Sequence, residues 1–127
     1  MGRTIPAIHP QGIITYTAGA DILEGQIVKF SGSLVVPTTA PNDIAIGTAQ
    51  ISAKAGEIVS IAIFGNSTGT QYIVAGGPIT QGALVAANGV ASAADDDVII
   101  GRALDDAAVA SEYVEIAHAL PRTKVPA

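Results

Sequence analysis

Between Glu57 and Phe64 the chain alternates, and Val59, Ile61 and Ile63 fall on one face. A two-residue period of this kind marks a half-buried strand. The same period, or a short apolar run closed by turn residues, recurs over Gly12–Thr17, Gln26–Phe30, Ser33–Val36, Asp43–Ile51 and Thr70–Ala75. A last strand is predicted over Glu112–Ala119, ending at Pro121. Between these runs lie Ser31-Gly32, the loop Pro37 to Asn42, the turn Ala53-Lys54-Ala55-Gly56 and the polar stretch Gly65 to Gly69. Gly and Pro recur too often for long helices.

The pattern is written twice. Asp21-Ile22-Leu23-Glu24-Gly25-Gln26-Ile27-Val28 returns, degraded, as Pro78-Ile79-Thr80-Gln81-Gly82-Ala83-Leu84-Val85. Ile46-Gly47-Thr48-Ala49 returns as Ile100-Gly101-Arg102-Ala103, and Glu57-Ile58-Val59-Ser60-Ile61 as Glu112-Tyr113-Val114-Glu115-Ile116. A Gly inside a strand marks a bulge or a close backbone approach, so its recurrence at 47 and 101 makes that feature architectural. Asp95-Asp96-Asp97 replaces the proline loop of the first copy, and Asp105 to Ala110 replaces its shorter turn, with room for one helical turn. Ala110-Ser111-Glu112 stands where the first copy has Ala55-Gly56-Glu57, which leaves the equivalence of those two turns open. Two copies are too few for a solenoid, which needs about three or more repeats. They suit one domain with an internal pseudo-two-fold, both halves feeding one core.

The expected fold is therefore all-β, a small barrel or sandwich of two similar β-units, about 18–65 and 75–120, within a single domain over 12–120. Pro6 and Pro10 forbid helix in residues 1–11, which read as an extended N-terminal arm. Residues 121–127 read as a free C-terminal tail. Composition agrees with this outline. The core is drawn from Ala, Val and Ile, with only two Phe and three Tyr among 127 residues, and β-branched side chains fit the pleated surface of strands.

Charge is unevenly placed. All eleven carboxylates lie between Asp21 and Glu115, whereas Arg3, Arg122 and Lys124 lie in the terminal segments. With Lys29, Lys54 and Arg102 the body carries −8 and the tails +3. An acidic body is unsuited to nucleic acid, whose binding rests on neutralising phosphates, and no partner of that kind is expected. No apolar run approaches the ~18 residues of a membrane span. No secretory signal is seen at the start, and Pro6 spoils the myristoylation pattern that Met1-Gly2 opens.

Chemistry-bearing patterns are scarce. There is no cysteine, and no Ser sits in a nucleophile elbow. His118 aligns with Ile63 of the first copy, among Val114 and Ile116, as a hydrogen-bonded core or interface residue. Asp95-Asp96-Asp97 lacks the alternating spacing of a calcium loop and reads as a solvated acidic turn; Asp105-Asp106 reads similarly. No cofactor, metal site or enzymatic activity is expected.

Gly12-Ile13-Ile14-Thr15-Tyr16-Thr17-Ala18, Ile22 to Val28, Ile46 to Ala49 and Ala55-Gly56-Glu57-Ile58-Val59 together resemble the small head decoration (cement) proteins of tailed bacteriophages. The resemblance covers about residues 12–120. It implies a non-enzymatic virion protein, made in the host cytoplasm and added to the outer surface of an expanded capsid. It implies the major capsid protein as partner and homotrimers where capsid subunits meet. It also implies capsid contact by the N-terminal arm, which makes Arg3, Ile5, Pro6, Ile8 and His9 the candidate contact residues.

Three other readings are weaker. One is another virion barrel, in the tail or neck. A lipoyl- or biotinyl-type carrier needs a modifiable turn lysine, and Lys54 lacks the expected flanks. A carbohydrate-binding barrel needs two exposed aromatics near paired carboxylates, and the sequence offers only Tyr113 beside Glu112 and Glu115.

Overall fold

The alternating runs become nine strands in a computed structural model, which describes residues 11–124. The first repeat supplies β1 (Ile13–Ala18), β2 (Ile27–Ser31), β3 (Leu34–Pro37), β4 (Ala45–Ala49) and β5 (Ile58–Ile63). These close into a barrel in the order β1-β3-β2-β4-β5, with β1 returning to pair with β5. Closure leaves no strand edge open to other chains. The second repeat supplies β6 (Gln71–Val74), β7 (Leu84–Ala86), β8 (Val98–Ala103) and β9 (Tyr113–Thr123), an open sheet ordered β6-β9-β8-β7. The fold is all-β, as the alternation predicts.

Duplication extends to the register. Ile27 and Val28 face Thr48 and Gly47, while Leu84 and Val85 face Arg102 and Gly101. Gly47 faces Ile63, and Gly101 faces His118. The lone bridges Ile22–Ala53 and Ile79–Ala107 are likewise equivalent. A Cβ on Gly47 would run into the carbonyl oxygen of Ala62, and one on Gly101 into that of Ala117. The two strand glycines thus serve close backbone approach.

The repeats differ where β3 should recur. In the first, Gly19 N–H donates to Val35 of β3. In the second, the equivalent Gly76 N–H reaches Gly89 in a tight turn, and only the single bridge Val85–Ala91 remains of the missing strand. The first repeat helps to cover the gap, since the Val74 N–H donates to the Gly25 carbonyl at 2.8 Å.

Packing divides in two, which departs from the expectation of one shared core. Ala18, Ile22, Val28, Val35, Ala49, Ala53, Val59 and Ile61 fill the barrel. A second cluster gathers Ile73, Val85, Ile100, Val114 and Ile116 with Ile27, Ala45 and Phe64 of the first repeat. The cause is strand alternation. Val28 points into the barrel, so its neighbour Ile27 points out and is buried by the second sheet.

Two further expectations are corrected. Residues 105–110 form no helical turn; Ala107 instead exchanges backbone hydrogen bonds with Ile79 at 2.9 Å. The last strand does not stop before Pro121 but runs to Thr123, with Arg122 opposite Ile99 and Thr123 opposite Val98. Between the pairs Ile99–Arg122 and Gly101–His118 the register shifts. Pro121 sits in that bulge, where its missing N–H costs no ladder bond.

Candidate functional surface

Arg3, Ile5, Pro6, Ile8 and His9 lie outside the described residues. What is described is the point from which they depart. Gly12 holds a left-handed backbone (φ 70°), and a Cβ there would lie 2.6 Å from the Ser67 Cα. Its carbonyl accepts from the Ile63 N–H at 2.9 Å. The start of the domain is therefore pressed against the connection between the repeats.

The last strand secures the same connection. Gly65, also left-handed at φ 83°, has room for a Cβ only 2.6 Å from the Leu120 nitrogen. The Gly65 N–H donates to His118 Nδ1 at 2.8 Å, and His118 Nε2 lies 2.8 Å from the Gly69 carbonyl and 3.3 Å from Ser67 Oγ. Accepting at Nδ1 requires the imidazole proton on Nε2, which then donates to Gly69. His118 occupies the register position of Ile63, as the repeat alignment predicts, and is tied on both nitrogens.

Gln71 completes this seam. It is buried, accepts from Thr48 Oγ1 at 2.6 Å, and donates from Nε2 to Ala62 O at 3.2 Å and Ser67 Oγ at 2.7 Å. A satisfied buried amide joins β4 and β5 of the barrel to β6 of the sheet. Leaving any of these groups unpaired would cost about 1–3 kcal/mol.

The acidic residues divide by environment. Asp43 accepts from the N–H groups of Thr39 and Ala40 at 2.8 and 3.0 Å, and pairs with Lys29 at 3.1 Å. Asp97, only 2% exposed, makes the equivalent bonds to Ala93 and Ala94 at 2.9 and 3.1 Å, plus one to Ser92 Oγ at 2.9 Å. Asp95 and Asp96 are exposed, as an acidic turn should be, but Asp97 is a loop clamp. The repeat alignment held this signal, since Asp43 ends the proline loop as Asp97 ends its replacement. Burial presses the Asp43 carboxyl up, but the two N–H groups and Lys29 together hold it below the usual carboxylate range. Asp97 is lowered by the Ala94 N–H foremost, against burial, with Ala93, Ser92 and Lys124 adding to the effect.

Lys54 stands in an exposed turn with its ammonium 3.6 Å from Asp21. Among the described residues, no group of three or more His, Asp or Glu side chains is placed to hold a metal ion.

A cleft of about 260 Å³ opens between the barrel and the sheet. Gln11, Ile13, Gln50, Thr70, Tyr72 and Tyr113 are among its lining residues. Tyr113 lies across the seam. Its hydroxyl donates to the Glu24 carbonyl at 3.2 Å, and its Cε1 would be 2.7 Å from a Cβ on Gly25. Tyr72 is a second exposed aromatic on the same sheet face, paired with Glu115. Nothing local in the sequence joins Tyr72 to Tyr113, because their proximity comes from the β6–β9 register.

Two copies of one β-unit, joined through Gln71 and His118, thus make up the described domain. The phage cement protein family matches residues 8–118, and the chain belongs to it. That family is one of phage head-associated structural proteins. No curated protein matches the chain. Among solved structures, the head fiber gp8.5 N base of bacteriophage phi29 is similar in fold, with TM-score 0.64 at 15% identity. The similarity covers 91% of this chain and 98% of that one.

Proposed function

We propose that the protein decorates the outer surface of an expanded phage capsid, as homotrimers where capsid subunits meet, and stabilises the shell without catalysis. The observation that carries this reading is the family match from residue 8 to residue 118, which spans both repeats and their seam. Residues 1–11 contact the major capsid protein, with Arg3 supplying charge and Ile5, Pro6, Ile8 and His9 supplying apolar and polar contact. The uneven charge supports this division, because Arg3 precedes a body in which eleven carboxylates outnumber the basic residues. Repetition over a lattice makes weak single contacts sufficient through avidity.

Sedimentation of the protein with expanded heads, with unexpanded proheads, and with a variant lacking residues 1–11 tests the proposal. Saturable binding to expanded heads alone, weakened in the variant, is the expected result. Absence of binding to either particle contradicts it and directs attention to tail and neck assemblies.

A further inference from the structure

We infer that the cleft between the two repeats is a binding site for a neutral pyranose sugar, an activity separate from capsid attachment. Tyr72 and Tyr113 are 58% and 55% exposed. Tyr72 pairs with Glu115 and Val74 with Tyr113, so the two tyrosines are diagonal neighbours on one sheet face. Diagonal neighbours stand about 7–8 Å apart, within reach of aromatic side chains. An exposed tyrosine offers an apolar ring face with a polar tip, which suits the mixed C–H and hydroxyl surface of a pyranose.

The rest of the lining supplies what such a ligand needs. Gln50 and Thr68 are an exposed amide and an exposed hydroxyl at the cleft, and both can donate to and accept from sugar hydroxyls. Thr70, whose proton goes to Glu115, adds an acceptor. Among the described residues no lysine or arginine lines it, whereas Glu24 does. That charge balance disfavours anionic sugars and leaves neutral ones. At about 260 Å³ the cleft falls just below the size of sites for drug-sized ligands. It therefore seats a terminal sugar unit rather than a long chain.

The walls are held in place. Tyr113 is fixed over Gly25 by its bond to the Glu24 carbonyl, and Glu115 beside Tyr72 accepts from the Thr70 hydroxyl. Gln71 anchors β6 beneath them through three hydrogen bonds. A fixed Tyr113 wall lowers the ordering cost of binding.

The test is an NMR titration of the full-length protein with tetra-N-acetylchitotetraose and cellotetraose, and with tetragalacturonate as the anionic control. At least one neutral tetrasaccharide should bind at millimolar concentration and perturb Tyr72, Tyr113 and Gln50. Tyr72→Ala should weaken that binding at least about tenfold, Tyr72→Phe should leave it within about twofold, and tetragalacturonate should bind at least about tenfold more weakly. Tyr72 is exposed, so its loss leaves the fold intact and the readout clean. Absence of binding by both neutral sugars at about 10 mM, or binding indifferent to Tyr72→Ala, overturns the inference. Because capsid sedimentation is a separate assay, either result leaves the decoration reading to its own test.

Discussion

Ser111 and Gly56 hold the same position in the two repeats and the same left-handed backbone, at φ 75° and 89°. Gly56 N–H donates to Ala18 O at 2.7 Å, and Ser111 N–H to Ala75 O at 2.8 Å. Glu57 and Glu112 each bond back into the turn before them. The second repeat has kept the turn while losing the residue that suits it.

Ser111→Gly should therefore stabilise the protein. A left-handed L-residue costs about 1–2 kcal/mol, and the flexibility of glycine in the unfolded chain returns part of that. A net gain of about 0.5–1 kcal/mol is expected in urea unfolding, with Gly56→Ser losing a similar amount. A destabilised Ser111→Gly protein would show that the serine side chain contributes something this geometry does not explain.

Acid should weaken the protein through Asp43 and Asp97. Both carboxyls are lowered in the folded state, so their stabilisation is fully present above the unfolded aspartate value of about 3.9. It is lost as the pH falls through their lower folded values. Unfolding midpoints should hold steady from neutral pH to about 5 and drop below about 4. Asp97→Asn and Asp43→Asn should each flatten that drop, while lowering stability at neutral pH by about 1–3 kcal/mol. An acid profile unchanged by both substitutions would assign the drop to other groups.

The strand glycines should tolerate no side chain. Gly47→Ala and Gly101→Ala each force a methyl against a facing carbonyl, an overpacking cost of about 2–3 kcal/mol or more. Gly32 has open space around its Cβ position and φ 62°, so Gly32→Ala should cost only about 1–2 kcal/mol. Equal losses at the three sites would refute the close-approach explanation.

The seam should behave as one unit. Thr48→Val removes the donor to Gln71, and a double-mutant cycle with Gln71→Leu should return a coupling of about 1–2 kcal/mol. Additive losses would mean that the buried amide does not join the repeats.

Most of the fold is legible in the sequence because alternation and turn residues are local signals. The repeat alignment carries further, equating His118 with Ile63, and the register sets them opposite Gly101 and Gly47. What escapes it is non-local or conditional. Nothing in Pro121 announces that a bulge will absorb it, so the last strand reads as too short. Tyr72 and Tyr113 become neighbours only through pairing, and Gln71 becomes buried only because the barrel packs behind it. The proposed contact residues, Arg3 to His9, are legible as a proline-bearing basic segment and lie outside the described residues.

The most direct test of the decoration account is a cryo-electron microscopy reconstruction of expanded heads, with and without the protein, from the phage that encodes it. The account predicts added density on the outer surface where three capsid subunits meet, with the arm that precedes Gly12 reaching the shell. Decorated and bare heads with identical density, or the protein found only on the tail or neck, would contradict it.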